Sequence, residues 1–485
     1  MICVPIACAT NDEIVREAQA AMHADVIELR IDSLREEPDL TYLLASITKP
    51  VIVTNRVESE GGKARKSDAR IAVLCEACSL GAAYVDIEYA SGAILLDNVL
   101  KAKGQTKVIV SHHDFSGVPD GLERLYERMK ITRADVLKIA VTARTITDNL
   151  AVFALLKRAT KEGIDLIALC MGAHGEISRI LGPMFGSYLT FGSLDSGKET
   201  APGQIPSQEL SEVYRVTALG HSTKIYGLVG NPVDKSKGYL LHNKAFAAAG
   251  VNAVYAPFLV DDLKGFVQGF RDTISGFSVT MPHKESIIPL LDVVSDDAKA
   301  IGSVNTVIVE DGKLIGSNTD GKGAVDALRE VCEVSGGAAV VVGTGGAAKA
   351  IAHQLHREGC RVIVAGRNSE KARAIAARTS GVSIPLGKIR DTSFDILVNA
   401  TPIGMAPNTE VLPVSKSILS GKVVLDAVYN PPETLLLREA KKLGCKTISG
   451  VDMFVNQAAL QYSLWTGKAA DMELMKGAVL ESLLP

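Results

Sequence analysis

Residues 136–171 read VLKIAVTARTITDNLAVFALLKRATKEGIDLIALCM. A short apolar run is followed by a helical pattern over 147–163 and then by a second apolar run, which is a strand–helix–strand unit. Strands joined through a helix lie parallel, and runs without polar alternation fit strands covered on both faces. Lys138 interrupts the first run. Lysine is depleted in strands, and its ammonium is costly to bury without a partner.

The same unit recurs through the first 200 residues. "ICVPIAC" (2–8), "VIELRI" (26–31), "VIVTNR" (51–56), "YVDIEY" (84–89), "KVIVSHH" (107–113) and "YLTFGSL" (188–194) complete a set of eight strands. Eight such units predict a (β/α)8 barrel. The competing open, doubly wound sheet is disfavoured because none of these units carries a glycine-rich phosphate turn.

In a closed barrel neither strand face meets bulk water. Val136, Lys138 and Ala140 share one face, and the bulkier Leu137, Ile139 and Val141 suit the helices, so Lys138 is expected to point inward. Glu28 with Arg30, Asp86 with Glu88, Arg56, and His112 with His113 also converge on the C-terminal mouth, where barrel enzymes react their substrates. Burial favours the free amine of a lysine, and a free amine condenses with a ketone to an electron-withdrawing iminium. A neighbouring histidine would take the acidified proton and return it to a leaving hydroxyl. The expected chemistry is Schiff-base elimination.

The chain has 485 residues, 47% of them hydrophobic and 22% charged, with a formal net charge of −3. That length predicts two to four domains, and the charge gives no basic footprint for a nucleic acid. "MICVPIACAT" lacks the basic start of a signal peptide, and no apolar run is long enough for a membrane span. Eight cysteines without paired spacing are expected as reduced thiols of a cytoplasmic enzyme. Cys75 and Cys78 fall inside a helical pattern with no second ligand pair, so packing rather than metal is expected there.

The pattern changes near Gly220. Strands "IYGLVG", "AVYAPFLV" and "GFSVTM" precede a hairpin turning at Asp311-Gly312, and from 338 the βαβ grammar returns. "VVVGTGGAAK" (340–349) follows a strand and opens a helix, so Gly343, Gly345, Gly346 and Ala347, with Ala348 as the third small residue, are expected to hold a pyrophosphate. The next strand ends "VIVAGRN" (362–368) without the acid that would bond a ribose 2′-hydroxyl. Arg367, Asn368 and Lys371 suit a 2′-phosphate instead, which predicts NADP(H) over NAD. The expected domains are a barrel over 1–220, a substrate domain over 221–330 completed by helices in 456–485, and a Rossmann domain over 331–455.

"ELR" (28–30), "EGG" (60–62), "HHDF" (112–115), "LKIAV" (137–141), "GEISR" (175–179) and "APGQ" (201–204) resemble the type I 3-dehydroquinate dehydratases over residues 1–215. The resemblance implies Lys138 as the Schiff-base lysine and His113, not His112, as the general acid/base. It also implies Glu28, Arg30, Arg56, Glu60, Met171, Arg179, Thr200 and Gln204 around the substrate, with Arg179 as the clamp on its carboxylate. Thr200 stands where a serine is common, and the hydroxyl is kept.

"GNPVDKSK" (230–237), "VTMPHK" (279–284), "GSVNTV" (302–307), "SNTDG" (317–321), "NATPIGM" (399–405) and "MFVNQAA" (453–459) resemble the shikimate dehydrogenases over residues 224–485. This implies a catalytic pair, Lys284 and Asp320, and a cradle of Ser236, Thr280, Asn305 and Gln457 with Tyr429 adjacent. Thr401 and Gly450 are implied as further cofactor contacts. One departure is Gly238, where the family carries a second serine hydroxyl for the substrate carboxylate. Losing a hydrogen bond to a charged group costs about 1.5–3 kcal/mol, unless a neighbour replaces it. The whole chain resembles the fused arrangement known from plants, and the product of the first half would feed the second. Two other readings of the C-terminal half are a preference for quinate and a non-catalytic NADP-sensing module. Small-molecule substrates are the expected partners, and the sequence leaves open whether the chain is a monomer.

Overall fold

The quoted stretch forms as read: strand Val136–Thr142, helix Asn149–Glu162 and strand Leu166–Met171. Gly163 ends the helix in the left-handed conformation that a residue without a Cβ adopts freely. The computed structural model describes residues 1–65 and 67–483 and divides into two units. One is Met1–Thr223 with Phe258–Gly269, and the other is Lys224–Pro257 with Phe270–Pro485.

The first unit is an α/β barrel of eight parallel strands: β1 (Ile2–Ile6), β2 (Val26–Arg30), β3 (Val51–Thr54), β4 (Tyr84–Glu88), β5 (Lys107–Asp114), β6 (Val136–Thr142), β7 (Leu166–Met171) and β8 (Thr190–Phe191). Consecutive strands from β1 to β7 pair side by side, and β8 pairs with β1. At the seam between β7 and β8, the Tyr188 N–H donates to Leu166 O at 2.9 Å, so the barrel is nearly closed. Val136 and Ala140 pack in the interior with Cys3, Val26, Ile109 and Phe191, which places the face bearing Lys138 inward as expected.

The segment after β8 departs from the sequence reading. The expected last strand shrinks to two residues, and only the short helices Glu209–Val213 and Val216–Ala218 lie between it and the second unit. Pro202 and Pro206 lack backbone N–H donors, so regular structure cannot begin before the second of them. Cys75 and Cys78 lie in the helix Asp68–Ser79, and no disulfide joins any of the eight cysteines.

The second unit contains two six-stranded sheets. The first is mixed, and its strands Thr306–Glu310 and Lys313–Ser317 form the expected hairpin. Asp311 and Gly312 turn it with φ of 49° and 71°, the pair of positive values a tight hairpin turn requires. The second sheet is parallel. Its order is Val382–Ile384, Arg361–Ala365, Ala338–Val342, Ile396–Asn399, Val423–Asp426, Lys446–Ile448. Numbered along the chain this is 3-2-1-4-5-6, the dinucleotide-binding order, with its crevice beyond the carboxyl end of Ala338–Val342. The edge strand Val382–Ile384 escaped sequence reading because it is three residues long and partly exposed. Helix Gly450–Thr466 returns to the mixed sheet, where Trp465 Nε1 donates to Val307 O at 3.1 Å.

Candidate active sites

One cavity opens at the C-terminal ends of the barrel strands. Glu28, Arg30, Arg56, Glu60, His113, Lys138, Met171, Arg179, Thr200 and Gln204 all line it, together with Phe115 and Phe191. Every residue that the dehydratase resemblance implies is therefore in one place. His112, the next residue along β5, is not among the lining residues, as the alternation of a strand requires.

Lys138 Nζ donates to Asp86 Oδ2 at 3.2 Å, lies 3.5 Å from Glu28 Oε1, and sits 4.1 Å from the centre of the Phe191 ring. Asp86 also binds Arg56 at 2.7 Å and accepts from Ser111 Oγ at 2.6 Å. Burial pushes the Asp86 carboxyl up, but the charges of Arg56 and Lys138 outweigh it and hold the group well below the carboxylate range. Glu88 bridges Arg56 at 3.3 Å and Arg70 at 2.6 Å. Arg30 is fixed by a two-point contact with Asp32, at 2.9 and 2.8 Å.

His113 is organised by Glu60. Glu60 Oε2 accepts from the His113 backbone N–H at 3.0 Å and lies 3.0 Å from its Nδ1. Burial raises the Glu60 carboxyl to about 7. Burial, then the charges of Arg56 and Lys138, hold the His113 imidazole well below its ordinary value, so the ring is neutral and able to accept a proton. Arg179 is 1% exposed, and its hydrogen bonds run to the carbonyls of Phe191 at 3.3 Å and Pro202 at 3.1 Å. Its Nε has no partner among the described residues, and burial brings the guanidinium down to about 10. A buried cation held by carbonyls is ready for an anionic ligand. Thr200 and Gln204 bond each other, with Gln204 Nε2 donating to Thr200 Oγ1 at 3.2 Å.

A second cavity, of about 320 Å³, lies in the second unit. Ser236, Thr280, Lys284, Asn305, Asp320, Ala347, Tyr429, Gly450 and Gln457 line it. Lys284 Nζ donates to Asp320 Oδ2 at 2.5 Å, and Asn305 Nδ2 donates to Asp320 Oδ1 at 2.8 Å. Asp320 opens the helix Asp320–Arg329, whose N-terminal partial charge favours a carboxylate. Tyr429 stacks on Phe454 at 4.7 Å between ring centres.

The glycine-rich turn runs against this pair. Gly343 has φ of 130°, and a Cβ there would meet Ala400 O at 2.7 Å. At Gly346 a Cβ would stand 3.0 Å from the Lys284 side chain and 2.8 Å from Ser303 Oγ. Helix Gly346–Arg357 starts there with neither an acid in its first turn nor a side-chain cap, which leaves its first N–H groups open to an anion. These features fit a dinucleotide pyrophosphate. Arg367 lines a separate depression with Arg373 and Ser369, a fit for a phosphate on the adenosine ribose.

The other proposed cofactor contacts stand apart from the second cavity. Asn368 Oδ1 accepts from Lys371 N at 2.9 Å, so its side chain caps the helix Ser369–Arg378, and Lys371 is exposed. The Thr401 hydroxyl donates to Asn399 Oδ1 at 2.7 Å. The sequence reading brings Asp86 to the barrel mouth but assigns it no role, and it names none of Ser278, Tyr255 and Gln461, which line the second cavity. Ser278 lies two residues before Thr280, and Gln461 one helical turn beyond Gln457, so both shared a face with an implied residue.

Residues 2–220 match the family model of type I 3-dehydroquinase. Residues 228–307 match the shikimate dehydrogenase substrate binding domain, 326–406 shikimate / quinate 5-dehydrogenase, and 450–480 the shikimate 5′-dehydrogenase C-terminal domain. The chain is 38% identical to a chloroplastic bifunctional 3-dehydroquinate dehydratase/shikimate dehydrogenase of Arabidopsis thaliana, over 98% of this chain and 83% of that protein. An NADP(+) shikimate dehydrogenase of Methanocaldococcus jannaschii is 42% identical over 55% of this chain and 99% of its own length. Among solved structures, the shikimate 5-dehydrogenase of Thermus thermophilus in complex with NADP(H) and shikimate aligns with a TM-score of 0.51 and 33% identity. The alignment covers 54% of this chain and 100% of that one.

Proposed function

The chain belongs to the family of bifunctional 3-dehydroquinate dehydratase/shikimate dehydrogenases, and from that premise we propose how its residues carry the two reactions. The enzyme converts 3-dehydroquinate to 3-dehydroshikimate and reduces that product to shikimate with NADPH. The observation that carries the reading is Lys138 lining one cavity with a neutral His113 and an anion-ready Arg179.

In the barrel, Arg179 binds the substrate carboxylate. Lys138, having given up a proton, attacks the ring ketone through Nζ and expels its oxygen as water, leaving an iminium. The iminium draws electrons from the adjacent C–H bond, and His113 takes that proton while Glu60 steadies the ring. The electron pair expels the neighbouring hydroxyl, to which His113 returns the proton, and water then releases the enone from Lys138. One water is lost overall.

In the second cavity Ser236, Thr280, Asn305, Tyr429 and Gln457 hold the enone, with its ketone toward Lys284 and Asp320. NADPH supplies a hydride when bound. Lys284 holds a proton at the carbonyl oxygen as charge develops there, and Asp320 keeps it in position. The Gly343–Ala347 turn would hold the pyrophosphate, and Arg367 the 2′-phosphate. We assign 1–220 to the dehydratase, 221–330 with 456–485 to the substrate domain, and 331–455 to the NADP domain. No helix among the described residues is long and apolar enough to cross a membrane. The free cysteines support a cytoplasmic location. Fused relatives and the intact Lys284–Asp320 pair do not favour the quinate or sensor readings.

The test supplies 3-dehydroquinate and NADPH together and follows enone absorbance and NADPH loss. Enone that accumulates with NADPH untouched would sink the bifunctional reading. Borohydride added with substrate is expected to leave an adduct on Lys138 that the Lys138→Ala protein lacks.

A further inference from the structure

Gly238 opens the helix Gly238–Ala248 at the wall of the second cavity. A Cβ at that position would lie 3.4 Å from Ser236 Oγ and 3.4 Å from the Tyr255 hydroxyl. No side chain stands between them, so Ser236 and Tyr255 reach the cavity together, and both line it. Tyr255 is 2% exposed and its ring stacks on His242 at 4.5 Å. Its hydroxyl donates to Ser278 Oγ at 2.9 Å, and Ser278 Oγ donates to Gln461 Oε1 at 2.9 Å. Gln461 Nε2 donates in turn to Thr306 Oγ1 at 3.1 Å and Asn305 O at 3.3 Å. A buried phenol fixed by a relay this long is a rigid donor.

We infer that Tyr255 is a substrate-binding residue of the second site: its hydroxyl, uncovered by Gly238, hydrogen-bonds the substrate carboxylate alongside Ser236. This rests on the shikimate reading of that cavity. The reacting end of the cavity is taken by Lys284, Asp320 and Asn305, whose hydrogen bonds converge on one carboxylate. The hydroxyls lie instead at the N-terminus of Gly238–Ala248, an 11-residue helix with no acid in its first turn, so the anionic end of the substrate is favoured there. His242 Nδ1 is buried there without a partner among the described residues. Hydroxyl hydrogens rotate without any proton transfer. On binding, the Tyr255 O–H turns to the carboxylate, the Ser278 O–H turns to the Tyr255 oxygen, and Gln461 keeps its bonds to Thr306 and Asn305.

The test is equilibrium binding of shikimate to the full chain, read by fluorescence of Trp465, the chain's single tryptophan, whose ring centre lies 5.9 Å from that of Tyr255. Tyr255→Phe is expected to weaken shikimate binding roughly tenfold to a hundredfold. Binding of the methyl ester of shikimate, which lacks the charge, should weaken far less, and the dehydratase rate and NADP+ affinity should stay at wild-type values. Ser278→Ala, which removes the orienting partner and keeps the phenol, should show a smaller loss with the same preference for the acid. Wild-type shikimate affinity in Tyr255→Phe, or an equal loss for acid and ester in both variants, overturns the inference. A wild-type protein that binds no shikimate at all would overturn the functional reading of the cavity instead.

Discussion

Glutamine at position 60 would keep the size of the side chain and delete its charge beside His113. Glu60 Oε2 meets both the His113 backbone N–H and ring Nδ1 at 3.0 Å. As a carboxylate it holds Nδ1–H and leaves Nε2 free for the substrate proton, and the bond strengthens as the imidazolium forms. A hydrogen bond to a charged partner exceeds a neutral one by about 1–2 kcal/mol, so Glu60→Gln is expected to lower dehydratase kcat roughly 5- to 30-fold at high pH. Burial raises the Glu60 carboxyl to about 7. The wild-type rate should therefore fall through an acid limb near pH 7, and the variant should stay flat there. The limb is not that of His113, whose own titration burial and then the Arg56 and Lys138 charges push well below its ordinary value.

Stability moves the other way. The Glu60 carboxyl binds its proton more tightly in the folded chain than in the unfolded one. Its contribution is full below the unfolded value near 4.3 and is lost as pH rises through about 7. The climb from 4.5 to about 7 corresponds to about 3–4 kcal/mol at roughly 1.4 kcal/mol per pH unit. Glutamine escapes that loss, so above pH 7 the barrel of the variant should melt no lower than wild type, and below about pH 4 it should gain nothing. Initial rates of enone formation and thermal melts between about pH 5 and 9 check the rate limb and the high-pH stability, and melts extended below about pH 4 check the rest. A variant that keeps the acid limb near 7, or that matches wild-type kcat at high pH, refutes the reasoning.

Asp86→Asn should cost the barrel about 3–5 kcal/mol, read as a lower melting temperature, because it strands the buried Arg56 and Lys138. Burial raises the Asp86 carboxyl but Arg56 and Lys138 hold it well below its unfolded value, so wild-type stability present above about pH 4 should be lost as the pH falls further. Melts of the variant should lack that part of the acid loss. Asp320→Asn should lower NADP-dependent shikimate oxidation by about 100-fold or more, with dehydratase rates in the same chain unchanged. Arg367→Ala should raise the KM for NADP+ roughly ten- to a hundredfold and leave that for NAD+ nearly untouched.

Much of the barrel was legible because its signals are local. The alternation in VLKIAV assigned Lys138 to the inner face, and that of "SHH" assigned His113 but not His112 to the cavity. The glycines of "VVVGTGG" announced a strand–turn–helix, which formed as Ala338–Val342 and Gly346–Arg357. The edge strand Val382–Ile384 was not legible, and β8 was read as seven residues where two form. Both are too short to show a period, and their length is set by the sheet beside them.

The sequence by itself determined the order of elements, the eight-fold repeat and which face of each strand carries chemistry, because periodicity and turn residues act over a few neighbours. Only the tertiary structure decided who partners whom. Ser111 of β5 stands in register beside Lys138, yet the lysine binds Asp86 of β4, one strand farther away, because side chains inside a barrel converge across it. Glu60 became the partner of His113, Asn368 became a helix cap, and Gly238 became the opening above Tyr255. Each outcome depends on distances between residues remote in the chain, which no local pattern encodes.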